Sequence, residues 1–171
     1  MNYSVSKDAL EGKVILVTGA GNGIGRQAAL SYAKHGATVI LLGRNVKNLE
    51  SIYDEIEAAG YPQAAIIPLD LKGATKQNYI DMAETIEGQF GQLDGLLHNA
   101  GVLSALCPFE QINEEDFDDI MQINVKAEVL MTQALLPVMR KSEAGRIIFT
   151  SSTVAILAVL FGVHMRYLSS Q

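Results

Sequence analysis

The sequence holds a single cysteine, Cys107, so no disulfide can form within the chain. A basic excess is also missing. The 13 Lys and Arg residues against 19 Asp and Glu give a net charge of -6, which leaves no clustered cationic face for a phosphate backbone and argues against nucleic acid as a partner. The longest apolar run, Val154 to Val163, falls well short of the roughly 20 residues that a membrane-spanning helix requires. Residues Met1 to Gly12 have neither the basic flank nor the apolar stretch of a secretory signal. Together these absences predict a soluble, cytoplasmic protein with no membrane association, in which Cys107 is an inert loop thiol. No internal repeat, low-complexity tract or linker is visible before residue 154.

What is present suits one globular domain: 171 residues, 49% of them hydrophobic, can bury a sizeable core. Short β-branched runs read as strands at Val14-Ile-Leu-Val17, Thr38 to Leu42, Ala65 to Leu69, Leu93 to Leu97 and Arg146 to Thr150. Helical patterns fill the gaps. This alternation predicts parallel strands with right-handed crossovers and helices on both faces, a doubly wound α/β fold. The last clear helix spans about Glu114 to Arg140, with Phe117, Ile120, Met121, Ala127, Met131 and Leu135 forming one apolar stripe that also carries Asn124.

The first strand runs straight into Thr18-Gly-Ala-Gly-Asn-Gly-Ile-Gly25, and an amphipathic helix follows through Lys34. Gly19 permits a tight turn, Gly23 lets backbone approach a pyrophosphate, and Gly25 allows close helix-strand packing, while the helix N-terminus attracts negative charge. The common GxGxxG spacing is not met, because Ile24 or Arg26 falls where its third glycine would stand; the spacing that fits is TGxxxGIG. Glycines after a strand can be turns alone, but four at alternate positions before a helix favour phosphate binding. Charge indicates which dinucleotide. At the end of the second strand, where a carboxylate would bind a ribose 2′-hydroxyl, the chain has Gly43 and then Arg44. Nothing there repels a 2′-phosphate, and a guanidinium can pair with one, so NADP is favoured over NAD; the alternative is an exposed loop arginine.

The TGxxxGIG pattern resembles the classical short-chain dehydrogenase/reductase family, and further signatures follow in order. Asp70 follows the third strand, as the family residue near the adenine does, with a solvated loop carboxylate as the alternative. His98-Asn99-Ala100-Gly101 resembles the family's NNAG, with His98 replacing the first Asn and read as a structural hydrogen-bonding group. Asn124 matches the helix asparagine of the family's proton relay, although it could also satisfy local backbone groups, and Ser152 matches the catalytic serine. The resemblance covers residues 12 to 154. Within the family, Leu41-Leu-Gly-Arg-Asn45, Leu93 to Gly101 and Thr132 to Pro137 are similar to the YciK-like subgroup. The resemblance implies a Rossmann-like sheet and a small-molecule carbonyl or alcohol substrate. It also implies cofactor contacts at Gly19, Asn22, Gly23, Ile24, Gly25, Arg44, Asp70, Asn99, Ala100 and Gly101, with no metal. Family members are usually homo-oligomeric, an assembly not carried over to this chain.

The family also uses a tyrosine to donate the proton and a lysine to tune it. Counted from Ser152, their positions hold Met165 and Ser169; Tyr167 is out of register, with Gln171 at the lysine spacing. Composition changes abruptly after Val154. Codons can be chosen for a family-like continuation carrying Tyr-x-x-x-Lys so that the same DNA, read one base later, yields residues 155 to 171 and then a stop. The expected organisation is therefore a dinucleotide-binding domain over 1-154 and an out-of-frame tail over 155-171, an NADP-dependent oxidoreductase in truncated, inactive form. The alternatives are a non-catalytic dinucleotide-binding or interaction module and an unstable pseudogene product.

Overall fold

The computed structural model of the protein describes residues 6-105 and 107-151. Five strands, β1 (Val14–Thr18), β2 (Thr38–Gly43), β3 (Ala65–Pro68), β4 (Gly95–His98) and β5 (Arg146–Phe149), form one parallel sheet in the order β3-β2-β1-β4-β5. The order reverses direction at β1. Helices α1 (Gly23–Lys34) and α2 (Val46–Ala58) make the crossovers on one side, and α3 (Lys76–Phe90) carries the chain back to β4. A short 3-10 turn, Phe109–Gln111, precedes α4 (Glu114–Met121), which continues through a π-helical turn, Gln122–Lys126, into α5 (Ala127–Met139). This is the doubly wound α/β fold expected from the alternation of patterns.

Strand periodicity explains the two cores. Alternate residues of β1 face opposite ways, so Val14 and Leu16 join Tyr79, Met82, Ile86, Met131 and Leu135 on one side. Ile15 and Val17 join Ala29, Ala33, Leu49, Ile52 and Ile56 on the other. Both faces are apolar, as strands covered by helices on both sides must be. Alanines on α1 let that helix sit close to the sheet.

The structure corrects several boundaries, ending the fifth strand at Phe149 rather than Thr150. The fourth strand begins at Gly95 rather than Leu93 and extends to His98. The preceding residue, Asp94, uses its carboxylate as a polar anchor that accepts from the Val14 amide (2.9 Å), Ser142 Oγ (2.6 Å), Gln92 Nε2 (3.1 Å) and Lys13 Nζ (3.3 Å). The third strand stops at Pro68, although the Leu69 amide still reaches the Gly43 carbonyl. The single helix over Glu114 to Arg140 is interrupted by the π turn, and its stripe is not continuous. Ala127, Met131 and Leu135 are buried, but Phe117 and Met121 are exposed. No residue of α4 is buried on any face, so core contact along this helical run begins at Ile123 within the π turn.

The segment Val154 to Val163 and the tail expected over 155-171 lie outside the described residues, as does Ser152. Among the described residues β5 is one edge of the sheet and β3 the other, and on β5 Ile148 and Phe149 are about half exposed. No helix among the described residues is long and apolar enough to cross a membrane.

Candidate functional site

In a parallel sheet a crevice opens beyond the carboxyl ends of the strands where the order reverses, here between β1 and β4. The glycine loop forms one wall. Gly19 has φ +64° and Gly23 φ +54°, values that disfavour any residue with a Cβ. A Cβ on Gly19 would lie 2.9 Å from Ala100 Cα, so the loop and the end of β4 touch through bare backbone. Gly23 faces open space, as an approach point for a ligand at the start of α1 requires. Gly25 is buried, and a Cβ there would meet the Gly19 carbonyl oxygen at 2.3 Å and Asn99 Nδ2 at 2.6 Å. Its absent side chain lets α1 pack onto the loop itself.

Thr18 holds the two strand ends together. Its hydroxyl accepts from the backbone amides of Asn99 and Ala100, both at 2.9 Å, and donates to the Leu97 carbonyl at 3.3 Å. Asn99 Nδ2 donates to the Thr18 carbonyl at 3.3 Å, and Asn99 Oδ1 accepts from Thr150 Oγ1 at 3.5 Å. In the sequence Thr18 stands out only as the first residue of the glycine pattern. The signal available was a hydroxyl at the last position of an otherwise aliphatic strand.

The resulting cleft has a volume of about 310 Å³ and brings together Gly19, Asn22, Arg44, Asp70, Ala100 and Gly101 from the candidate set. Gly23 adjoins it at the first turn of α1, Gly25 and Asn99 pack behind it, and Ile24 points to solvent, 69% exposed. Arg44 follows β2 directly and, among the described residues, has no carboxylate partner; Arg26 is paired with Glu55 across α1 and α2. Asp70 is exposed, and its Oδ1 accepts from the Lys72 amide at 3.1 Å. Lys72 in turn reaches Asp119 of α4 at 2.6 Å, and hydrogen bonding to that carboxylate raises its pKa. The loop after β3 is thereby tied to α4, and Gln122 Nε2 adds bonds to the Leu71 and Ala74 carbonyls.

Asn124 lies in the π turn. Its side chain clamps one residue: Oδ1 accepts from the Val102 amide and Nδ2 donates to the Val102 carbonyl, both at 2.8 Å. A Cβ on Gly101 would approach Asn124 Oδ1 to 3.5 Å, so the clamp fixes the loop leaving β4 at the edge of the cleft. His98, nearly fully buried, stacks on Phe149 at 4.8 Å between ring centroids and shares a 2.9 Å hydrogen bond through Nε2 with Thr132 Oγ1. Burial lowers its pKa to about 4, so the ring is neutral near pH 7. Cys107 is exposed, and among the described residues no cluster of His, Cys, Asp or Glu could hold a metal.

The comparisons with known proteins agree with this geometry. Residues 13-168 match the short chain dehydrogenase family model. The uncharacterized oxidoreductase YciK of Escherichia coli K12 is 46% identical over 154 residues, 90% of this chain and 61% of the relative. A solved short-chain dehydrogenase from Pseudomonas syringae superposes with a TM-score of 0.88 at 49% identity, over 91% of this chain and 64% of that one. Another, from Escherichia coli CFT073 and complexed with NADPH, gives 0.86 at 44% identity, over 89% and 63%. The chain therefore spans less than two-thirds of the length of these relatives. With the glycine turn and the β1-β4 crevice both inside a family match that spans most of the chain, this chain belongs to the short-chain dehydrogenase family.

Proposed function

We propose that this chain is the NADP(H)-binding part of a cytoplasmic oxidoreductase that acts on a carbonyl or alcohol, and that the chain as it stands binds cofactor without turnover. The observation that carries the cofactor assignment is the end of β2, where Gly43 and Arg44 line the cleft and no carboxylate stands to repel a 2′-phosphate. The bare backbone at Gly23 and the start of α1 suit a pyrophosphate, with Gly19 beside it and the Asn22 side chain turned toward α2. Asp70 would face the adenine. Ala100 and Gly101, on the loop that Asn124 clamps, would line the nicotinamide side.

The bound cofactor supplies or accepts the hydride; everything else falls to the protein. Thr18 and Gly25 set the spacing between the glycine loop and β4, and Asn124 holds the loop carrying Gly101. Ser152 is assigned to polarise the substrate oxygen. Proton transfer is the missing part, because the family's tyrosine and lysine positions hold Met165 and Ser169. A positioned proton donor contributes typically about 100- to 10,000-fold. Assaying the 171-residue chain against aldehydes, ketones and quinones with NADPH should give no measurable reduction. Replacing Met165→Tyr and Ser169→Lys should not restore it, whereas restoring the whole downstream frame should. Robust turnover by the chain itself would overturn the proposal.

A further inference from the structure

Asn48 was not singled out by the sequence, yet it joins the two walls of the cleft. It sits in the first turn of α2, and its backbone amide donates to Oδ1 of the N-cap residue Asn45 at 3.3 Å. Its side-chain Nδ2 donates to Asn22 Oδ1 in the glycine loop at 3.2 Å. The walls also touch, since a Cβ on Gly21 would lie 3.2 Å from Asn48 Cβ. Asn22, the N-cap of α1, makes no side-chain capping bond to its own helix. Gly21, Asn22, Arg44, Asn45 and Asn48 all line one cleft.

A carboxamide has an accepting end and a donating end, whereas a phosphate oxygen only accepts. An exposed, unheld asparagine can present either end. By occupying Asn22 Oδ1, Asn48 leaves the Asn22 NH2 group as the end available to a ligand, on the same cleft as the Arg44 guanidinium. We infer that Asn48 is a positioning residue for cofactor discrimination, acting through Asn22 to make the glycine loop a donor toward the 2′-phosphate; this rests on the NADP(H) reading above. An uncharged 2′-hydroxyl can accept or donate and depends less on which end is presented.

The test is the ratio of NADPH to NADH affinity of the 171-residue chain, read by titration of cofactor fluorescence. Loss of one hydrogen bond to a charged oxygen lowers affinity by about tenfold, so Asn22→Ala should lower the ratio by about that factor, whereas Asn48→Ala, which leaves Asn22 free to present either end, should lower it by about twofold. The double variant with both alanines should fall no further than Asn22→Ala alone, because Asn48 acts only through Asn22. A purely structural role would weaken both cofactors alike. Asn48→Ala keeps its backbone bond to Asn45. Asn48→Asp is the second variant: its charge suits the start of a helix, so folding should persist, and its carboxylate only accepts, so it takes the Asn22 NH2 group and the ratio should fall at least as far as in Asn22→Ala. A ratio unchanged within about twofold in Asn48→Asp, or a double Asn22→Ala and Asn48→Ala variant that falls below Asn22→Ala alone, would overturn the inference. Arg44→Ala separates the two levels. If it abolishes the preference while Asn48→Asp leaves it unchanged, only the role of Asn48 fails; if the parent shows no NADPH preference, the cofactor reading fails and takes this inference with it.

Discussion

Acid should loosen this fold before any carboxylate titrates normally, because of one ring. His98 is nearly fully buried between Phe149 and Thr132, and burial lowers its pKa from 6.5 to about 4. The sign follows from proton counting. Between those two values the unfolded chain takes up a proton that the folded chain refuses, so stability is full above about pH 6.5 and is lost as pH falls toward about 4. The loss is about 2 kcal/mol between about pH 7 and 5 and approaches about 3 kcal/mol near pH 4. Urea unfolding of the parent and His98→Asn at both pH values would measure it. The parent should lose about 2 kcal/mol more than the variant on acidification, although the variant starts less stable through loss of the stacked ring. Glu128, whose pKa burial raises, acts in the opposite direction but equally in both proteins. Identical pH dependence in the two, or an NMR titration placing His98 near its ordinary value, would refute the reasoning.

Three further outcomes are expected. Gly25→Ala forces a methyl group to within 2.3 Å of the Gly19 carbonyl oxygen, so it should abolish NADPH binding and lower stability by about 1-3 kcal/mol in thermal melts; Gly73→Ala, which meets nothing within 4 Å, is the control. Asp94→Asn should cost about 2 kcal/mol at neutral pH. Burial opposes ionisation of Asp94, but bonds from Ser142, Val14, Gln92 and Lys13 outweigh it and depress the pKa, so its contribution is present above the ordinary carboxylate range and lost as pH falls through the lowered value. Unfolding curves of parent and variant should converge in strong acid. Finally, DNA sequenced from codon 154 onward should encode, in the adjacent frame, a Tyr-x-x-x-Lys pair and further strands; absence of such coding would refute the frame-slip account of residues 155-171.

Much of the fold was legible because its signals are local. Val14 to Val17 is short, aliphatic and followed at once by glycines, and the structure places a buried strand and a turn with positive φ there. Arg44 and Asp70 could be placed because they immediately follow strands. The π turn was not legible: an inserted residue within a run rich in apolar side chains leaves the three- and four-residue spacing plausible on both sides, and that spacing does not show that α4 lies off the core, with Phe117 and Met121 exposed. Thr18 and Asn48 were missed for another reason. Their partners, Ala100 and Asn22, are remote in sequence and become neighbours only when the sheet order and the α1-α2 packing are known. His98 is legible in sequence as a hydrogen-bonding residue, but its stack on Phe149 depends on β5 pairing beside β4.

The central claim is most directly tested by titrating the purified 171-residue chain with NADPH and NADH, alongside Arg44→Ala. The account predicts saturable binding with NADPH tighter than NADH, and loss of that difference in the variant because the 2′-phosphate loses its charge-assisted partner. Equal affinity for the two cofactors in the parent, or no binding of either, would contradict it.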